Sequence, residues 1–235
     1  PPADIHEAYK QASSSLPIEH LGVVTSGGKL SDQDLYTISK SLTHMSNSEQ
    51  DTACCASLGF LHDQQFRQLR ESGLKRYHHN LETAPSFFSE ICTTHDYEDR
   101  LDAIRRARSA GLEVCSGGIL GMGESLEQRV ELATTLRHEN VDSIPLNFLI
   151  PIPGTPLEDS RCMEPMDVLR TIAMFRLTNP DKEVKVCAGR LNLRDLQSMI
   201  FHAGATGMMV GSLLTVAGRD VEQDLQMLSD LRIEY

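Results

Sequence analysis

Tyr97-Glu98-Asp99-Arg100-Leu101 through Arg108-Ser109-Ala110-Gly111, running on into Val114-Cys115-Ser116-Gly117, decides the reading of the fold. Tyr97, Leu101, Ile104 and Ala107 recur at the three-to-four spacing of one helix face, and Gly111 supplies the stop. The short apolar run that follows has the length of a buried strand. The same alternation continues in both directions. Strand-like runs recur at Leu21–Thr25, Ala53–Ala56, Arg76–His79, Val114–Gly117, Ser143–Asn147, Val184–Cys187 and Met208–Val210. Helical patterns fall between them at Leu35–Leu42, Gln64–Ser72, Tyr97–Ala110, Leu126–His138, Met166–Leu177, Arg194–Ala203 and Val221–Leu231. Successive strand centres are separated by about 31 residues, the length of a βα unit with its loops. This predicts an α/β protein with a parallel sheet, a (β/α)8 TIM-type barrel that closes with one strand more than the seven runs visible. The missing first strand is expected before Pro1, where the chain opens on a helix-like stretch, Asp4 to Ala12. Residues 1–235 then form a single barrel domain without its N-terminal βα unit.

The composition agrees with a packed domain: 40% of residues are hydrophobic, 23% are charged, and no tract is of low complexity. With 22 Lys and Arg against 33 Asp and Glu, the net charge is −11, which opposes binding to nucleic acid or to an anionic membrane surface. The longest uncharged run, Ala203 to Gly218, is broken by glycines and threonines and does not reach the length of a membrane span. The chain is expected in the cytosol. Six cysteines, at 54, 55, 92, 115, 162 and 187, show neither zinc-ribbon spacing nor the density of a disulfide scaffold.

In a parallel barrel the informative polar residues stand at the carboxyl ends of strands. The third run ends in His78-His79-Asn80-Leu81-Glu82-Thr83, where an amide and a carboxylate two apart share one face of an extended segment and can bond a hydroxylated or amino-acid ligand. The alternative is that Glu82 and Thr83 begin a helix. The fourth run continues as Gly117-Gly118-Ile119-Leu120-Gly121-Met122-Gly123-Glu124, whose glycines let backbone approach a flat ligand such as a purine or, equally, pack strand against helix. It has neither the Rossmann spacing nor a P-loop lysine. Asn147 is polar within an apolar run, as a ligand contact or a satisfied buried amide. Cysteines fall on the second, fourth and sixth runs, at Cys54-Cys55, Cys115 and Cys187. Thiolates from three strands are the donors that iron-sulfur clusters select, although an isolated cysteine is more often a small core residue. Alternation turns only one of Cys54 and Cys55 inward unless a bulge intervenes. Cys92 and Cys162 fall in loop or helical contexts and are read as incidental.

Tyr77-His78-His79-Asn80-Leu81-Glu82-Thr83-Ala84-Pro85, Thr93-Thr94, Arg100-Leu101, Val114-Cys115-Ser116-Gly117-Gly118-Ile119, Gly154-Thr155-Pro156-Leu157, Ala188-Gly189-Arg190 and Asp224-Leu225-Gln226 together resemble the biotin synthases, radical S-adenosylmethionine enzymes. The likeness runs from about His20 to the C-terminus. It implies a (β/α)8 barrel in which a 4Fe-4S cluster cleaves S-adenosylmethionine, the resulting 5'-deoxyadenosyl radical abstracts hydrogen from dethiobiotin, and an auxiliary cluster supplies sulfur. It further implies that Asn80, Glu82 and Arg100 hold the ribose, amino and carboxylate groups of S-adenosylmethionine. The segment Gly117, Gly118, Ile119, Gly121 and Glu124 matches the adenine side. His78, Asn80 and Asn147 match the grip on the ureido ring of dethiobiotin, and Cys55, Cys115 and Arg190 match auxiliary-cluster ligands. An electron donor such as flavodoxin or ferredoxin and a homodimer are implied as well.

Three departures stand out. The C-x3-C-x2-C loop of the radical-generating cluster is not in this sequence, and it belongs in the unit expected before Pro1. His78 stands where the family has Asn and Glu82 where it has Asp, which keeps hydrogen bonding and alters reach. Gly22-Val23-Val24-Thr25-Ser26-Gly27 holds no counterpart of the family's cysteine on that strand, while Cys54 and Cys187 are additional. The expected auxiliary cluster, 2Fe-2S or a variant of it, is therefore held by Cys55 or Cys54, Cys115 and Cys187, with Arg190 as a charge partner or displaced ligand. Other barrel enzymes of the superfamily, such as hydrogenase maturases and methylornithine synthases, and a non-catalytic S-adenosylmethionine-binding barrel are the competing readings.

Overall fold

A computed structural model describes residues 2–15, 18–25, 29–48, 52–211 and 218–233. The elements alternate as α1 (Pro2–Ser15), β1 (His20–Val24), α2 (Asp32–Ser46), β2 (Ala53–Ser57), α3 (Asp63–Glu71), β3 (Arg76–His78), α4 (Pro85–Ile91), α5 (Tyr97–Ser109), β4 (Glu113–Cys115) and β5 (Gly118–Leu120). They continue as α6 (Leu126–His138), β6 (Ser143–Phe148), α7 (Pro165–Thr178), β7 (Glu183–Val186), a 3-10 segment (Arg190–Leu196), α8 (Met199–His202), β8 (Gly207–Met208) and α9 (Val221–Asp230). Two compact units result: one takes the chain up to His79 together with Glu98–Cys115, and the other takes Asn80–Tyr97 and the chain from Ser116 onward.

In the first unit β1, β2, β3 and β4 pair in that order, all parallel. Strand alternation sorts their side chains cleanly. Cys54, Ala56, Tyr77 and Val114 point to the helices, where Leu35, Ile38, Leu42 and Met45 of α2, Phe66 and Leu69 of α3 and Ile104 of α5 are buried. The Phe66 and Tyr77 rings meet edge to face at 4.8 Å. Burying one such side chain contributes about 1.5–3 kcal/mol, which is why the helix period and the strand period must agree on one face.

In the second unit β5 pairs with β6, β6 with β7 and β7 with β8, again parallel. Ile144, Leu146, Phe148, Val184 and Val186 are buried, as are Leu132 and Leu136 of α6 and Val168, Ile172 and Phe175 of α7. A reciprocal cap starts α6: Ser125 Oγ accepts from Gln128 N at 3.3 Å and Gln128 Oε1 accepts from Ser125 N at 2.8 Å.

The strand-helix alternation and the parallel pairing follow the sequence reading, with three corrections. The fourth run is two strands, β4 and β5, because the chain must pass under its neighbour there: a Cβ on Gly117 would lie 2.0 Å from the Pro145 carbonyl oxygen. The helix expected over 194–203 is a 3-10 segment broken at Arg194 (φ 51°, ψ −122°) and followed by the short α8. The segment Asn80–Glu82 is not extended, since Glu82 has φ 69°; the helix after it starts later, at Pro85. Ser26 and Gly27, and residues 212–217 of the uncharged C-terminal run, lie outside the described residues. Among the described residues no helix is long and apolar enough to cross a membrane.

Candidate functional site

The face of the first unit that turns away from the helices carries its chemistry. Register pairs Gly22 with Cys55, Cys55 with Arg76, and Arg76 with Glu113; two residues further along, Val24 pairs with Ser57 and His78 with Cys115. Of the two adjacent cysteines, only Cys55 is on this face. Cys54 is buried toward α2, its thiol 3.9 Å from Met45 Sδ, and burial pushes that thiol up to about 11. Alternation without a bulge sets Cys54 among the core residues on the helix side of the strand.

Cys115 is buried, and its Sγ lies 3.3 Å from His78 Nδ1. Burial pushes the imidazole down to about 4, so at neutral pH His78 presents one donor and one acceptor. Arg100, half-buried in the first turn of α5, also belongs to this unit.

In the second unit the turn after the third strand is locked to the glycine segment. Asn80 Oδ1 accepts from Gly117 N at 3.1 Å, Leu81 N donates to the Gly117 carbonyl at 2.9 Å, and Ile119 N donates to the Glu82 carbonyl at 2.8 Å. These bonds hold Glu82 in its left-handed conformation, which costs a non-glycine residue about 1–3 kcal/mol. Gly117 and Gly118 are explained by the chain itself, since a Cβ on Gly118 would lie 2.4 Å from the Glu82 carbonyl oxygen. Their glycines serve backbone packing first. The buried carboxylate of Glu124 accepts from Gly121 N and Met122 N, both at 2.8 Å, and from Arg129 Nε at 2.7 Å, so it shapes the loop from within.

Asn147 is the satisfied amide, with Nδ2 donating to the Gly118 carbonyl and Oδ1 accepting from Ala188 N, both at 3.2 Å. Continuing the β6–β7 register sets Asn147 opposite Cys187, on the face of Lys185 and away from buried Val184 and Val186. Beyond Cys187 the chain bends at Gly189 (φ 78°), where a Cβ would meet the Phe148 carbonyl oxygen at 2.1 Å. That bend delivers Arg190 to Asp224. Arg190 donates from both terminal nitrogens to the two Asp224 oxygens, at 2.8 and 2.5 Å, and also to Gln197 Oε1 at 2.9 Å. The Arg190 side chain is 6% exposed and that of Asp224 0%, with Arg219 3.5 Å from the same carboxylate. This bidentate pairing engages both terminal nitrogens of Arg190 with one buried carboxylate.

Among the described residues no three His, Cys, Asp or Glu side chains converge as a single-ion site requires. The donors that fit iron-sulfur chemistry are thiols: Cys55 and Cys115 share a face of the first unit, and Cys187 ends a strand of the second. Sequence reasoning did not single out Arg76, Glu113 or Arg129, which the structure places in ion pairs. Arg76 carried a legible signal, a charged residue in phase with His78 in a strand run; the pairing of Arg190 with Asp224 carried none, because the two are 34 residues apart.

The Radical SAM superfamily model matches residues 2–136, and the Biotin and Thiamin Synthesis associated domain matches residues 145–234. The biotin synthase of Maridesulfovibrio salexigens is 53% identical over 228 residues, covering 97% of this chain and 69% of that protein. That of Geotalea uraniireducens is 50% identical over 230 residues, covering 97% and 68%. Among solved structures, methylornithine synthase superposes with a TM-score of 0.82 at 18% identity, covering 99% of this chain and 72% of that one. An FeFe-hydrogenase maturase superposes with a TM-score of 0.80 at 14% identity, covering 99% and 56%. These likenesses show the fold, an α/β architecture of TIM type. Identity of about 50% to biotin synthases over nearly the whole chain, on a framework whose glycine segment and cysteine-bearing strands are in place, means that the chain belongs to the biotin synthase family of radical S-adenosylmethionine enzymes.

Proposed function

We propose that this chain, acting as one radical S-adenosylmethionine domain, converts dethiobiotin to biotin. The observation that carries the reading is the identity of about 50% to biotin synthases across 97% of the chain. S-Adenosylmethionine and iron-sulfur clusters supply the radical chemistry and the sulfur when bound. The chain's own residues bind and orient. Arg100 pairs with the carboxylate of S-adenosylmethionine, because a guanidinium meets a carboxylate in two parallel bonds, and Glu82 accepts from the ribose hydroxyls. Ile119 and the loop that Glu124 shapes bound the adenine side. His78 faces the ureido ring with its single donor and single acceptor. Asn80 and Asn147 offer only the amide valences left over from bracing the backbone, so their contribution is to fix the shape of that site.

Cys55 and Cys115 are ligands of the auxiliary cluster, 2Fe-2S or a variant of it. Cys187 is a further ligand and Arg190 a charge partner, since Arg190 is committed to Asp224. A one-electron donor such as flavodoxin or ferredoxin, a homodimeric assembly and a cytoplasmic location complete the proposal. Replacing Cys187 by Ser, with Cys92→Ser as control, tests the ligand set. Loss of iron and sulfide in the first variant alone is expected; full retention of both returns the ligand question to Arg190.

A further inference from the structure

We propose that Arg76 is the cation that balances the charge of the auxiliary cluster, and that Glu113 is the strut that holds its guanidinium in place. The inference rests on the assignment of Cys55 and Cys115 as cluster ligands. Three observations carry it, all within the first unit.

The face is settled by its opposite. Tyr77 turns to Phe66 and Val114 is buried beside it in register, so Arg76, Cys55, Glu113, His78 and Cys115 must share the other side of the sheet. Arg76 stands between the two cysteines on that side. It is the register partner of Cys55 on one flank and of Glu113 on the other, and Glu113 is two residues before Cys115 on the same strand. With strands about 4.8 Å apart and about 6.6 Å between same-face residues on one strand, Arg76 and both thiols belong to one small patch.

The ion pair is lopsided. Arg76 donates from Nε and from a terminal nitrogen to one oxygen of Glu113, at 2.9 and 2.8 Å, yet its side chain is 6% exposed while that of Glu113 is 53% exposed. The cation is therefore out of water and its carboxylate is largely in it. A field from a buried charge is little screened, whereas that of a hydrated carboxylate is strongly screened, so this ion pair keeps a positive field on its buried side. Iron-sulfur centres with thiolate ligands carry net negative charge, and their potentials follow the charge and hydrogen bonding around them. An apolar side chain would fill this position at less desolvation cost than an arginine.

The test reads a potential. The chain is reconstituted with iron and sulfide without oxygen, and the reduction of its cluster is titrated spectroscopically in wild type, Arg76→Met, Arg76→Lys and Glu113→Gln. Arg76→Met lowers the equilibrium constant for reduction on the order of tenfold, about 59 mV for one electron, with iron and sulfide retained. Arg76→Lys stays close to wild type, and Glu113→Gln shifts the potential by less than Arg76→Met, since its screened carboxylate contributes little field. An ion pair that served stability alone would move the melting temperature in both neutral variants and leave the potential fixed. An unchanged potential in iron-replete Arg76→Met overturns the proposal, as does a shift in Glu113→Gln larger than that in Arg76→Met. Where Arg76→Met does not fold, Arg76→Gln, which keeps a polar head without the charge, is titrated in its place. Wild-type chain that takes up no iron and sulfide overturns the ligand assignment together with this inference, whereas failure of Arg76 alone leaves the cluster content intact.

Discussion

Removing the carboxylate of Asp224 should be among the most damaging single changes in this protein. Asp224 is completely buried, accepts two bonds from Arg190 and neighbours Arg219, so Asp224→Ala strands a guanidinium that is itself only 6% exposed. Gln197 still accepts one bond from Arg190 but supplies no charge. Arg219, 26% exposed, can turn to water, and its share of the loss is small. Breaking a buried pair by deleting one partner costs about 3–5 kcal/mol. For a chain of this size each kcal/mol lowers the melting temperature by about 2–4 °C, so a fall of about 6–20 °C is expected. Replacing both members, as Arg190→Met with Asp224→Leu, should recover most of that loss, since apolar groups of similar volume substitute for a buried pair at little cost. Urea denaturation followed by circular dichroism, with calorimetry for the melting temperature, measures Asp224→Ala, the double variant and its two single components. A loss below about 1 kcal/mol in Asp224→Ala, or a double variant as damaged as the sum of Arg190→Met and Asp224→Leu, refutes the reasoning.

Two further outcomes follow from buried groups. Glu124→Ala deprives Gly121 N, Met122 N and Arg129 of one shared carboxylate, which should cost about 3–5 kcal/mol and weaken S-adenosylmethionine binding by calorimetry; Glu124→Gln keeps an acceptor and should lose less, and equal binding in wild type and Glu124→Ala would end the idea. Cys54, with its thiol pushed up from 9.0 to about 11, should resist alkylation at pH 8 while exposed Cys162 reacts first, as peptide mapping after brief labelling would report. Because the folded chain holds that proton longer than the unfolded one, the Cys54 contribution to stability is complete below pH 9 and lost as pH rises through about 11. Prompt labelling of Cys54 would contradict its placement against Met45.

The sequence alone determined what depends on local periodicity. The α5 pattern at Tyr97, Leu101, Ile104 and Ala107, the glycine stop and the recurring apolar runs specify strand-helix alternation, because each element must present one apolar face at its own repeat. The glycine segment and the cysteines were visible for the same reason: residue types with unusual backbone or metal chemistry stand out without knowledge of what they touch. Tertiary structure decided everything that depends on partners distant in the chain. It turned Cys54 to the helices and Cys55 away from them, because the strand's phase is set by which neighbours it packs on. It showed Gly117 and Gly118 to be cleared for the chain's own carbonyls at Pro145 and Glu82. It bonded Asn147 and Glu124 to the backbone, and it set Asp224 against Arg190 across 34 residues. A buried polar group must be satisfied by whatever the fold brings within about 3 Å, and that company is a property of the folded chain that no short stretch of sequence contains.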